Sequence, residues 1–306
     1  MKVLVTGSSG FVGRELSKEL LKRKVEIAEF DMAGGKDILN FEQLKEACKG
    51  CDAVIHLAAL LDEQASLEKL RNVNAEGTKN ALEASVKQKV KKFIYLSSTG
   101  VYGDFKGQAN ESLPANPSTN YEKSKAEAEE IVQSYQELIP IVIARSALVL
   151  GPNNYWREIA EVIKKGFPII GSGKNKWQIC YYKDLVNALV FLLYCKEAEF
   201  EVFNIAEEPE QAKDLNGLVG LLKQELGTTK ETKHLPVILG YLLLSLKAII
   251  DKVKGKKSIA SPAYISRLLK NRNYSIEKIR KLGWRPKYST EEAVKETVRE
   301  LQIKNN

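Results

Sequence analysis

Residues 6–13 read Thr6-Gly7-Ser8-Ser9-Gly10-Phe11-Val12-Gly13. They follow a short apolar run, Lys2–Thr6, and open an amphipathic stretch, Phe11–Arg23. A strand before and a helix after is the context that gives such a glycine string meaning. Gly7 permits a tight turn, Gly10 removes a side chain where backbone must approach a pyrophosphate, and Gly13 lets helix and strand pack closely. The helix N-terminus then offers unpaired N–H groups and a partial positive charge to phosphate.

The rest of the first half agrees with that opening. Strand candidates are Lys2–Thr6, Val25–Phe30, Ala53–Leu57, Lys92–Ser97 and Ile141–Val149; helix candidates are Phe11–Arg23, Phe41–Lys49, Ala75–Lys89 and Tyr121–Glu137. Strands alternating with helices predict βαβ units. The strand cores are nearly continuous in apolar residues, as strands covered on both faces must be. The expected fold class is α/β: a Rossmann-type doubly wound parallel sheet with a smaller, mostly helical C-terminal substrate domain. The expected boundaries are 1–152 for the nucleotide-binding domain and 153–306 for the smaller one, with part of 176–206 returning to the sheet.

Asp31 ends the second strand, 24 positions after Gly7. A carboxylate there accepts hydrogen bonds from both adenosine ribose hydroxyls and repels a 2′-phosphate. The next residues, Met32 to Gly35, include no arginine or lysine, so NAD is favoured over NADP.

Tyr121-Glu122-Lys123-Ser124-Lys125 begins a predicted helix, and Tyr121 and Lys125 share one face at a spacing of four. A free tyrosine has a pKa of about 10. A neighbouring ammonium stabilises the phenolate, and a positive nicotinamide ring does the same. A drop of about three units requires roughly 4 kcal/mol of differential stabilisation, within reach of two close cations in a partly desolvated cleft. Ser97-Ser98-Thr99-Gly100-Val101-Tyr102-Gly103 follows another strand of the sheet. A hydroxyl at that strand's carboxyl end lies near the expected ligand crevice and can hold a reacting oxygen.

Together these segments resemble the extended short-chain dehydrogenase/reductase family, also described as the NAD-dependent epimerase/dehydratase superfamily. The resemblance covers essentially the whole chain through residues 6–13, Asp31, His56-Leu57-Ala58-Ala59, 97–103 and 121–125. It implies Tyr121 as general acid/base, Lys125 on the nicotinamide ribose, and Ser98 as the catalytic hydroxyl, with Thr99 as the fallback. It implies a cofactor site of Gly7, Gly10, Phe11, Val12, Gly13, Asp31, Asp37, Ile38, Leu57, Ala58, Ala59, Asn74, Ser97, Tyr121 and Lys125. Phe11 and Val12 would cover the pyrophosphate, and Asp37 and Ile38 would lie beside the adenine. His56 reads as mainly structural. The expected reaction is hydride transfer at a secondary alcohol or ketone carbon. The alternatives are a UDP-sugar 4-epimerase holding NAD tightly and a non-catalytic NAD-binding scaffold.

Three departures bear on the substrate. Leu148 stands where nucleotide-sugar epimerases of the family carry an Asn, and Trp177 stands where they carry an Arg for the diphosphate; Lys174 and Lys176 are the available substitutes. Thr99-Gly100 replaces the Asp-Glu pair of the family's dehydratases, which sets dehydration aside. The second half resembles the 3β-hydroxysteroid dehydrogenase-like branch, through 171–177, Tyr181-Tyr182-Lys183-Asp184-Leu185, Val202–Ala206 and a late apolar helix.

That helix, Leu235–Leu246, contains no charge and is followed by Lys247, Lys252, Lys254, Lys256 and Lys257. At 12 residues it is too short to span a bilayer. Two readings stand open for 235–257: a peripheral contact with a membrane or a greasy substrate, or a packed helix or dimer contact.

Composition narrows the partners. The formal charge is +8 with basic residues spread along the chain; this suits an anionic ligand or a lysine-rich solvated surface, and no nucleic-acid motif accompanies it. A homodimer through 75–89 and 121–137 is implied by the resemblance. The strand start at Lys2 leaves no signal peptide, so a cytoplasmic compartment is expected. Cys48 and Cys51 have CxxC spacing without a second pair, so no metal site is expected, and the two fill a helix end and a strand start.

Overall fold

The structure is a computed structural model that describes residues 1–62, 64–253 and 262–303, with side chains 247–253 and 262–264 outside the description. In chain order the first elements are β1 (Lys2–Thr6), α1 (Phe11–Lys22), β2 (Glu26–Phe30), α2 (Phe41–Cys48), β3 (Ala53–His56), α3 (Gly77–Lys87), β4 (Lys92–Ser98), α4 (Asn120–Ser134) and β5 (Ile141–Ser146). There follow α5 (Asn154–Lys165), β6 (Ile169–Ile170), α6 (Tyr182–Tyr194), β7 (Glu201–Ile205), α7 (Leu215–Glu225), β8 (His234–Leu235), α8 (Val237–Val253) and α9 (Thr290–Ile303).

Six strands form one sheet in the order β2-β1-β3-β4-β5-β7, and every pairing is parallel. Alternation along β1 explains the layers. Val3 and Val5 point into a cluster with Leu16, Leu20, Leu185 and Leu189 of α1 and α6. Leu4 points the other way, into a cluster with Leu44, Leu82 and Val132 of α2, α3 and α4. Successive side chains of a strand face opposite sides, so a strand covered on both faces has no solvent side and must be apolar throughout. The expected doubly wound parallel sheet is thus the observed one. β1 pairs with β2 on one side and β3 on the other, so the connections change direction there. The crevice outside the carboxyl ends of such strands is where ligands bind in open α/β sheets.

By its internal contacts the chain divides into two units: Met1–Val149 with Cys180–Pro209 and Tyr274–Lys287, and Leu150–Ile179 with Glu210–Asn273 and Tyr288–Asn306. The first holds the sheet. The second holds α5, α7, α8 and α9 and a two-stranded parallel pair, β6 with β8.

Several boundaries differ from the sequence expectation for local reasons. Residues 72–76 form a π turn after a short helix, Leu67–Arg71, that the sequence reading did not resolve, so α3 starts at Gly77 rather than Ala75. β5 ends at Ser146, and Leu148–Leu150 form a separate short strand outside the six-stranded sheet. Leu235 belongs to β8, and the apolar helix begins after Pro236. Lys254, Lys256 and Lys257 lie outside the described residues. Ser289 and Glu292 form a reciprocal cap of α9. Cys48 and Cys51 are free and buried, at the end of α2 and before β3. Among the described residues no helix is long and apolar enough to cross a membrane.

Candidate active site

The loop from β1 to α1 is held too tightly for side chains. Gly7 has φ +69°, and a Cβ built on it would lie 2.8 Å from the Ala58 nitrogen. A Cβ on Gly13 would lie 2.2 Å from the Gly7 carbonyl oxygen. Both positions therefore require glycine, the first for conformation and approach, the second for helix–strand packing. No side chain caps α1, unlike α4, α5 and α7. Its first N–H groups are thus left for an anion. Phe11 lies against Tyr182 at a ring distance of 5.2 Å, and Val12 packs on the sheet's core.

Around this loop the carboxyl ends of the strands supply the remaining groups. Asp31, at the end of β2, accepts from the Ser9 N–H at 3.1 Å and the Ala33 N–H at 2.9 Å. Lys36, the first cation after Asp31, donates to the Glu29 carbonyl at 2.8 Å. Asp37 is exposed, whereas Ile38 is buried against the α3 start, where a Cβ on Gly77 would lie 2.9 Å from it. Leu57, Ala58 and Ala59 follow β3 half-buried; Thr6 Oγ1 accepts from the N–H groups of Leu57 and Ala58. Asn74 is fully buried, with its amide accepting from Leu60 N–H at 2.7 Å and donating to the Leu60 carbonyl and to Ser124 Oγ. It therefore ties the loop after β3 to α4.

α4 starts with a reciprocal cap between Thr119 and Glu122, which places Tyr121 in the first turn. Tyr121 is half-buried and Lys125, one turn on, is 2% exposed. Lys125 Nζ donates to the Leu96 carbonyl of β4 at 2.8 Å and stands 4.1 Å from the Tyr95 ring centre. Burial lowers its pKa to about 7, against the opposing pull of Glu129. At the end of β4 the Ser97 hydroxyl is buried without a partner, and Ser98 Oγ accepts from Gly100 N–H at 3.0 Å. A Cβ on Gly100 would meet Ser98 Oγ at 3.2 Å and the Glu122 side chain at 3.1 Å. The β4 turn and the first turn of α4 are thus in contact, which brings Ser98 to the segment that carries Tyr121.

The uncapped helix start, the glycine cradle and the Asp31 carboxylate fit a dinucleotide. The family model for the NAD dependent epimerase/dehydratase family matches residues 3–206. The chain belongs to that family. It is an enzyme of the extended short-chain dehydrogenase/reductase type, with NAD as cofactor. The family member N-acetyl-alpha-D-glucosaminyl-diphospho-ditrans,octacis-undecaprenol 4-epimerase of Escherichia coli O157:H7 is 29% identical, over 97% of this chain and 94% of that protein. A 3-beta-hydroxysteroid dehydrogenase of Mycolicibacterium neoaurum is 28% identical, over 96% of this chain and 90% of its own. UDP-glucose 4-epimerase of Thermotoga maritima, solved with UDP-glucose, superposes with a TM-score of 0.81 at 24% identity, each chain being covered completely.

The departures from the family's pattern have definite surroundings. Trp177 is buried, its indole N–H donates to the Leu268 carbonyl, and the Arg272 guanidinium lies 4.2 Å from its ring centre. Lys176 donates to the Ala212 carbonyl, which leaves the exposed Lys174 as the freer of the two lysines. An arginine is therefore present beside position 177, but it comes from residue 272, 95 positions along the chain.

Sequence reasoning missed a buried polar group around the family's tyrosine–lysine pair. Glu129, one turn beyond Lys125, accepts two nitrogens of Arg145, with the shortest contact 2.6 Å. Arg145 also donates to the Tyr102 hydroxyl at 2.9 Å, and that hydroxyl donates to Asn204 Oδ1 at 2.7 Å. Arg145 and Glu129 are 6% and 4% exposed. The available signal was a titratable residue at each of Tyr121, Lys125 and Glu129, the same helix face through two turns. His56 is fully buried between Thr6 and Thr78 hydroxyls at 2.7 and 3.0 Å. Burial first, and then Lys125, push its pKa down to about 3, so it is a neutral structural residue, in line with the sequence reading.

Proposed function

We propose that this protein moves a hydride to or from a secondary alcohol or ketone carbon, with Tyr121 as general acid/base, Lys125 as its electrostatic partner and Ser98 as the group that orients the reacting oxygen. The observation that carries the reading is Lys125, a buried amine on the Tyr121 face of α4, anchored at the β4 end that also presents Ser98.

Gly7, Gly10, Phe11, Val12, Gly13 and Asp31 would hold NAD, with Asp37, Ile38, Leu57, Ala58, Ala59, Asn74 and Ser97 around it, and the bound cofactor would supply the hydride acceptor. The Tyr121 phenolate takes the hydroxyl proton of the alcohol and returns it in the reverse direction. Ser98 Oγ–H donates to the same oxygen and fixes its approach. Lys125 holds the phenolate; the negative oxygen, in turn, favours the charged form of an amine that burial, against the pull of Glu129, lowers to about 7. The Tyr121→Phe enzyme is expected to keep its cofactor and lose turnover; full turnover on a broad alcohol panel overturns the mechanism.

A second reading is sugar 4-epimerisation, in which oxidation and re-reduction occur in one turnover. The E. coli relative, named for a sugar on a diphospho-undecaprenol, favours it. Leu148 counts against a nucleotide as the carrier, whereas Arg272 restores an arginine beside Trp177; with the E. coli relative's carrier, the one proposed within this reading is a lipid diphosphate. The cofactor released by denaturing freshly purified protein separates the two: near-stoichiometric NAD(H) supports the epimerase, and an empty protein that binds NAD reversibly supports net dehydrogenation. The same proposal extends to a cytoplasmic homodimer joined through α3 and α4, and to peripheral contact of 235–257 with a membrane.

A further inference from the structure

α8 carries its apolar side chains outward. Ile238 is 78% exposed, Leu239 44%, Leu242 56%, Leu243 49% and Leu246 53%. At about 100° per residue these five positions cover one stripe roughly 140° wide. The opposite side is held down: Gly240 is buried, and a Cβ on it would meet Ile170 Cγ2 of β6 at 2.8 Å. The helix is thus pinned by its small residue and presents leucines to solvent. A contiguous apolar stripe of this kind marks an interaction surface rather than scattered exposure.

We infer that this stripe is the docking surface of α8 for an anionic lipid bilayer. Charge complementarity selects this occupant. Residues 247–257 carry Lys247, Lys252, Lys254, Lys256 and Lys257 against the single acid Asp251, directly after the stripe in sequence. An apolar helix face joined to a basic run is the composition that lies in the headgroup region of anionic membranes. α8 has 17 residues; at 1.5 Å per residue its length is about 25 Å, short of a hydrocarbon core about 30 Å thick. It therefore lies along the surface. The inference deepens the membrane contact proposed above for 235–257, rests on α8 and the basic sequence that follows it, and does not depend on the reaction assigned to Tyr121.

The test uses the full chain with NAD bound, at low ionic strength, sedimented with vesicles of phosphatidylcholine and phosphatidylglycerol in a two-to-one ratio, and with vesicles of phosphatidylcholine alone. Binding to the anionic vesicles, weakened by added salt and lowered about tenfold or more in Leu242→Glu/Leu243→Glu, is the expected result. A second variant, Leu243→Trp, reports insertion directly: its emission should shift to the blue with anionic vesicles. NAD retention and circular dichroism confirm that both variants are folded. No sedimentation of the wild type, equal sedimentation of the double variant, or an unmoved Trp emission overturns the inference. A double variant that changes only from dimer to monomer in sedimentation velocity, with no vesicle binding by the wild type, assigns the stripe to a second copy and also overturns it.

Discussion

Helices α4 and α8 invert each other. α4 buries charge: Glu122, Lys125 and Glu129 are each less than 9% exposed. α8 exposes leucine, with Leu242, Leu243 and Leu246 each about half exposed or more. Burial of unpaired charge is among the most costly arrangements a protein can adopt. It persists in α4 because every charge has a partner, Thr119 and Ser118 for Glu122, the Leu96 carbonyl for Lys125, Arg145 for Glu129. Exposed leucine costs little in isolation, and α8 is not stabilised by its outer face. The contrast separates two arrangements of a helix: one encloses charge behind partners, and the other leaves apolar side chains to solvent.

The contrast can be broken at four points. Tyr121→Phe should lower kcat by about 10²–10⁴, the range for a lost general acid/base, with NAD binding retained by equilibrium dialysis. Glu129→Gln leaves Arg145 buried without its counter-charge and should destabilise by about 3–5 kcal/mol, read from urea unfolding of the NAD-free protein. A loss below about 1 kcal/mol would place the pair in solvent and end the contrast from the α4 side.

The third point is pH. Burial holds Lys125 at about 7, below the roughly 10.4 of an unfolded chain, so unfolding takes up a proton between those values. Stability should therefore rise from pH 7 towards pH 10 through this group. The groups facing it are Tyr95, Glu129, His56 and the Leu96 carbonyl. Comparing urea midpoints of the wild type and Lys125→Met across this range isolates the effect; identical slopes would show the amine to be solvated. The smallest effect belongs to α8: Leu242→Gln should change stability by no more than about 0.5 kcal/mol, the usual range for a surface change, measured in the same urea experiment. A loss of about 2 kcal/mol or more would show a buried leucine and sharpen the contrast into a packing role.

How much of this could be read from the chain alone depended on sequence distance. Gly7 and Gly13 are legible because the positive φ of the first and the Gly7 carbonyl against the second are local, although Ala58 also closes on Gly7 from far along the chain. Tyr121 and Lys125 are legible because helix geometry alone puts them on one face. The pairings that hold them are not. Arg145 reaches Glu129 across 16 positions and Asn74 reaches Ser124 across 50, and no local pattern marks either partner. The same holds for Arg272 beside Trp177, where reading position 177 alone shows a lost arginine and the fold shows one returned from elsewhere.

The sequence by itself determined the parallel sheet, the glycine loop, Asp31 at the end of β2 and the tyrosine–lysine spacing, because each follows from period, turn sterics or helix pitch within a few residues. Only the tertiary structure decided which charges are buried, which hydroxyls and amides hold the loop ends, and that the leucines of α8 face outward rather than in. The physical reason is that burial is a property of what packs against a residue, and the packing partners lie far away along the chain.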